Sequence, residues 1–256
     1  MNSPASVSFS PDGYLQILDT ARAAGYSLNP LASASASQTP AMIVRHDVDL
    51  SLEIALRMAE AEADVGVSST YFVLLNCDYY NALSGTGRTY LRAIVGAGHD
   101  IGLHWDSSMY PTDHERALQV FRREVETLAD AAEVSVTCAS QHVPTDSPII
   151  DVNAAIEVEA YADAIRHRFT YVSDSSMAWR QHTPLDLIAT GVDIQFVSHP
   201  VWWFAEGSTR AEKLRTVPTL AAGGLHDSAE SFLAYMERVL ADRAAYDQRF
   251  RASRGW

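Results

Sequence analysis

The feature that most constrains this chain is a rhythm. From residue 41 onward, short apolar runs of strand length alternate with longer stretches of helical spacing. The strand candidates are Ala41–His46, Thr70–Leu75, Asp100–His104, Val136–Gln141, Phe169–Ser173 and Ile194–Ser198. Between them, Leu52–Val65, Thr89–Ala97, Asp113–Ala132 and Val152–Arg168 read as amphipathic helices, and Ser228–Phe250 predicts a last helix. Alternation of this kind means βα units and a parallel sheet, because parallel neighbours need a crossover between them. Six or seven such units closing on themselves give an α/β barrel. An open doubly wound sheet is the competing arrangement. No Gly-rich phosphate loop follows the first strand, so nothing recommends a nucleotide-binding fold.

The bulk properties agree with one domain. The chain has 256 residues, a normal length for an α/β barrel. No composition shift or internal repeat marks a second domain, so residues 1–256 are expected to form one unit, with 1–40 as an N-terminal helix and loop extension. The helix is Pro11 to Gly25, and Ser33-Ala34-Ser35-Ala36-Ser37 reads as a loop. A net charge of −13 argues against nucleic acid or an anionic membrane surface as partner. The N-terminal residues have neither the basic nor the apolar region of a signal peptide, and no apolar run reaches membrane-spanning length. A cytoplasmic protein acting on a small molecule is the expectation. Cys77 and Cys138 sit in no metal spacing and read as buried thiols.

Chemistry collects where the strands stop. In a parallel barrel the strand C-termini share one face, and that face holds the active site. Asp47 and Asp49 follow the first strand, and residues i and i+2 point the same way along a strand. Two such carboxylates can divide metal binding and proton transfer between them. Asp49 could instead cap the following helix. His104 ends Gly98-His99-Asp100-Ile101-Gly102-Leu103-His104. His99 lies about 17 Å away along an extended segment and on the opposite face, so it reads as a turn or packing residue. His142, Asp174 and His199 each follow a further strand. His114, His167, His182 and His226 lie on helices or loops and read as solvated.

At these residues the chain resembles the polysaccharide deacetylase family (carbohydrate esterase family 4, the nodulation-deacetylase homology domain). Arg45-His46-Asp47-Val48-Asp49 is similar to its first motif, in the Asp-Val-Asp form of some branches. Gly66–Val73 resembles the second strand and its glycine turn, and Gly98–His104 resembles the run whose last His binds metal. Ser140-Gln141-His142-Val143-Pro144 sits where a Pro-containing motif lines the groove. Asp174–Trp179 resembles the Asp…Trp motif, and Val197–Trp203 the motif whose His is the general acid. The likeness covers roughly residues 41 to 204. It implies a distorted (β/α) barrel of about six or seven parallel strands and a metal-dependent hydrolase of N-acetyl groups, usually with zinc. Asp47 would be the base, Asp49 and His104 metal ligands, and His199 the acid, with Asp174 orienting it. Beside this, Trp179 would fix His199 or wall the acyl pocket, and Trp202 and Tyr79 read either as substrate contacts or as packing residues.

Two positions depart from the family pattern. The second ligand His is expected four residues after His104, where this chain has Ser108. The groove Arg is also missing, with His142 near its place. His142 is therefore the expected third ligand of a divalent ion, most naturally Zn2+, and Asp106 is the competing candidate. The function expected is removal of an acyl group, N-acetyl first, from a sugar-containing or other small soluble amide. The alternatives are the same fold acting on a non-carbohydrate amide, and a binding protein with a decayed metal site.

Overall fold

A computed structural model describes residues 7–144 and 150–221, together with residues 223 and 234. Its centre is one curled sheet of eight parallel strands: β1 (Ser27–Asn29), β2 (Ala41–Val48), β3 (Thr70–Leu74), β4 (Asp100–Trp105), β5 (Cys138–Gln141), β6 (Val158–Glu159), β7 (Thr170–Ser173) and β8 (Ile194–Ser198). Seven strands run in the order β6-β5-β4-β3-β2-β8-β7, and β1 pairs with β2. The registers show how β2 takes three partners. β8 pairs with residues 42–46, while β1 and β3 pair with separate halves, 41–43 and 45–48. Every residue of β2 is buried, as expected for a central parallel strand covered on both faces. The result is a distorted, open-sided (β/α) barrel.

The alternation of side chains sorts the core into an interior and a helix side. Ala41, Ile43, Phe72 and Cys138 pack inside with Leu31 and Ala160. Gly102 faces the same interior, and a Cβ there would meet the Phe72 ring at 2.4 Å, so glycine is what lets Phe72 fill this level. On the helix side, Met42, Val44 and Phe196 pack against α1 (Pro11–Ala23) and α2 (Leu52–Asp64). Val73, Leu103 and Ala139 pack against α3 (Gly85–Gly96) and α4 (His114–Ala132). Each of these four helices starts at a side-chain cap: Ser10, Ser51, Ser84 and Asp113 each accept a backbone N–H from the first turn.

The differences from the expected elements have local causes. The helix expected over Val152–Arg168 is instead a turn, the short strand β6 and the short helix α5 (Asp163–Arg168). The Asp151 carboxylate accepts from the backbone and side-chain nitrogens of Asn153, a turn that competes with helix. Beyond it, Val158 and Ala160 donate N–H bonds to Thr137 and Ala139, satisfying the outer edge of β5. The Ser33–Ser37 loop lies largely within a 3-10 turn over Leu31–Ala36, and β1, α6 (Pro184–Ile188) and α7 (Pro200–Phe204) are additional. A helical stretch occupies residues 210–221. The expected helix Ser228–Phe250 and His226 lie outside the described residues. No helix among the described residues is long and apolar enough to cross a membrane.

Candidate metal and acid–base site

Arg45, Asp47 and Asp49 occupy every second position along β2 and its extension. The interior face of the strand thus carries a cation and two carboxylates in sequence. Arg45 is fully buried, and its Nη2 donates to both oxygens of Asp47 at 3.1 and 2.9 Å. The guanidinium is also held over the rings of Phe72 and Tyr161 at 5.1 and 5.2 Å. Burial opposes ionisation of Asp47, but Arg45, then His104 and His199, outweigh it and hold the carboxyl below its ordinary value.

Asp49 is left free for another task because Ser51, not Asp49, caps α2, with the Ser51 hydroxyl accepting from Ile54 N–H at 3.2 Å. Asp49 Oδ1 is buried without a hydrogen-bond partner, its nearest cationic nitrogen being His104 Nε2 at 3.4 Å. Burial opposes its charge, and the nearby His104 and His199 overcome this, bringing its pKa down to about 2.

His104 is buried, and its Nδ1–H donates to the Ser140 carbonyl of β5 at 2.8 Å. That bond leaves Nε2 turned toward Asp49 and, at 3.9 Å, Asp47. His142, one residue beyond β5, brings its ring to 5.1 Å from that of His104. One ligand atom each from Asp49, His104 and His142 lies within 4.8 Å of the other two. Asp106 is not in this group; its carboxylate stands 3.7 Å from His142 Nδ1, as a partner of that imidazole. Ser108, at the position of the family's second His, donates its N–H to Asp106 Oδ1 at 2.9 Å. Backbone strain marks the neighbouring turn, where Val143 has φ +44°.

Opposite this trio is a second assembly. His199 follows β8, and its Nδ1–H donates to Asp174 Oδ1 at 2.6 Å. Asp174 is fully buried and also accepts the His199 backbone N–H and, at 2.6 Å, the indole N–H of Trp203. His199 Nε2 points the other way, to 3.6 Å from Asp49 Oδ2. Burial disfavours the imidazolium, but Asp174 and then Asp49 and Asp47 favour it more, pushing its pKa up to about 10.

Asp47, Asp49, His104, His142, Asp174 and His199 are thus gathered at one end of the sheet. Of the three candidate substrate-contacting aromatic residues, one is exposed and two pack on the helix side. Tyr79 is half exposed on the loop after β3. Trp179 stacks on Phe9 at 5.6 Å and lies beside Phe196 and Trp203, on the helix side of the sheet. Trp202 is buried in the same cluster. His99 packs between strands and helix, accepting from Ser69 N–H and bonding Ala59 O. His114, His167 and His182 are exposed. Arg45 had no expected role, although its i, i+2, i+4 relation to Asp47 and Asp49 places it on their face.

No family model matches the chain, and no curated protein does. Solved structures with a similar arrangement include a wild-type CE4 family pseudoenzyme from Bacillus anthracis, at 14% identity and TM-score 0.45 over 72% of this chain and 60% of that one. Others are a Streptococcus pyogenes deacetylase in complex with acetate (11%, 0.47, 75% and 93%) and a family 4 acetyl xylan esterase from Clostridium thermocellum in complex with cobalt (13%, 0.42, 72% and 84%). The chain spans about three fifths of the length of the Bacillus anthracis chains. The chain is thus a curled parallel sheet with carboxylates and imidazoles gathered at the strand C-termini.

Proposed function

We propose that this chain is a metal-dependent hydrolase that removes an acyl group, with N-acetyl as the expected one, from a sugar-containing or other small soluble amide. The observation that carries the reading is the convergence of Asp49, His104 and His142 beside Asp47 and the His199–Asp174 pair. One carboxylate and two imidazoles form a donor set suited to a catalytic divalent ion, zinc first, with three protein ligands. The residues fit such an ion: Asp49 Oδ1 is buried without a hydrogen-bond partner, and His104, donating through Nδ1, turns Nε2 toward it at 3.4 Å. Bound there, the ion would polarise the acyl oxygen and lower the pKa of water.

The remaining work falls to the chain's own groups. Asp47, kept ionised by Arg45, accepts the proton of the attacking water. His199, kept protonated by Asp174, donates a proton to the amine nitrogen as the C–N bond breaks. Its Nδ1–H is committed to Asp174, so Nε2 is the atom that serves the leaving group. Of the three candidate aromatic residues, Tyr79 is exposed and could meet a sugar or acyl face, while Trp179 and Trp202 would act by shaping the wall behind Trp203. The imidazole that β5 supplies through His142 speaks for an intact site over a decayed one. A soluble substrate in a cytoplasmic setting completes the proposal.

The test is turnover of a panel of small N-acetyl and N-formyl amides, sugar and non-sugar, by zinc-loaded protein. Metal-dependent acid release from one class supports the reading and names the class. A zinc-loaded protein inert to the whole panel counts against it.

A further inference from the structure

Behind the site, on the helix side of the sheet, lies a buried charge that the mechanism above does not use. Glu62 of α2 is fully buried. Its Oε1 accepts from the Tyr14 hydroxyl and, at 2.9 Å, pairs with His46 Nε2. Its Oε2 accepts from Ser69 Oγ and the Tyr71 hydroxyl, each at 2.7 Å. Four partners from α1, β2, β3 and the segment before β3 therefore converge on one carboxylate. Apolar side chains would fill the same space at less desolvation cost, and what a buried ionic cluster adds is direction.

The direction is toward the catalytic groups, along two arms. The first is His46, whose Nδ1 meets Ser198 Oγ at 2.7 Å. His46 and Ser198 are register partners across the β2–β8 pair. The next residue along each strand is Asp47 on one and His199 on the other. The second arm is Tyr14, whose ring lies 5.6 Å from that of Trp203. Trp203 in turn donates to Asp174, the carboxylate that holds His199.

We propose that Glu62 is a positioning residue: through His46 and Ser198 it fixes the C-terminal ends of β2 and β8, and so sets Asp47 and His199 at their working separation. The proposal rests on the acid–base roles given above. A network that only filled space would show its loss as lowered stability. One that sets the separation of base and acid also changes the chemical step at unchanged substrate binding.

The experiment compares Glu62→Gln and Ser198→Ala with Ile94→Val, a core change outside the network. Metal content, melting temperature, kcat and KM are measured for each zinc-loaded protein, together with the NMR chemical shifts of the His199 ring. Glu62→Gln and Ser198→Ala should keep the metal and KM within twofold, lose tenfold or more in kcat, and shift the His199 resonances. Ile94→Val should lower the melting temperature and leave kcat and the resonances alone. Because Ser198→Ala deletes one hydroxyl, it keeps the test decisive if Glu62→Gln does not fold. Wild-type kcat and His199 shifts in Ser198→Ala overturn the proposal. If the wild type itself turns over nothing, the functional reading fails, and the His199 shifts alone decide the positioning claim, unshifted resonances in Ser198→Ala overturning it.

Discussion

Consider the effect of acid on Glu62 and on Glu62→Gln. Burial disfavours the charge of Glu62, but His46, His99 and Tyr14 outweigh it and bring its pKa from 4.5 down to about 2. A carboxyl whose pKa is lowered on folding contributes stability above its unfolded value and loses it as pH falls through the folded one. The window is therefore pH 4.5 down to about 2. At about 1.36 kcal/mol per pH unit, the contribution of the ionised form above that window is about 3 kcal/mol. For a chain of this size that is about 6–12 °C in melting temperature. Glu62→Gln removes the ionised form, so it should melt well below the wild type at pH 7. The gap should close as the pH is lowered from 4.5 toward 2, because only the wild type then takes up the proton. Thermal melts of both proteins across pH 2.5–7, followed by circular dichroism, measure it. A gap that stays constant over that range would refute the reasoning, since the cost would then come from shape and not from charge.

Three further outcomes follow from the site. Asp174→Asn should move the alkaline limb of the pH–rate profile down from about 10, because the carboxylate first among those favouring the His199 imidazolium is gone; an unmoved limb in kcat/KM profiles would contradict the assignment of His199 as the acid. Asp47→Asn should keep the metal and lose roughly 10²–10⁴ in kcat, the usual worth of a general base, and full activity in a steady-state assay would remove Asp47 from that role. Asp106→Ala should weaken metal affinity by about 10–100-fold without abolishing it, as expected for a carboxylate behind an imidazole ligand; complete loss in a zinc titration would make Asp106 a ligand.

Much of this was legible in the residues. The alternation of apolar strands and helices predicts the parallel sheet, and six expected strands correspond to β2, β3, β4, β5, β7 and β8. The proximity of the candidate residues Asp47, Asp49, His104, His142, Asp174 and His199 was legible because each lies at or just beyond a strand C-terminus. The i, i+2 spacing of Asp47 and Asp49 matches the face they share. What was not legible depends on contacts between distant elements. The pair β5–β6 arises because an unpaired strand edge recruits two residues of a segment whose spacing reads as helix. α7 is too short for periodicity to register. Glu62 sits on the apolar face of α2, eight residues after Ile54, and that misplaced charge was a signal; its four partners come from elsewhere in the chain. The packing of Trp179 and Trp202 against Phe9 and the helix-side cluster likewise needs the folded chain.

The proposed reaction requires a divalent ion held by Asp49, His104 and His142. Elemental analysis of purified protein after zinc reconstitution, for the wild type and His142→Ala, tests it most directly. Close to one ion per wild-type chain is expected, and its loss from the variant at the same zinc concentration. A wild type that binds no divalent ion, or a His142→Ala protein that holds it as tightly, would contradict it.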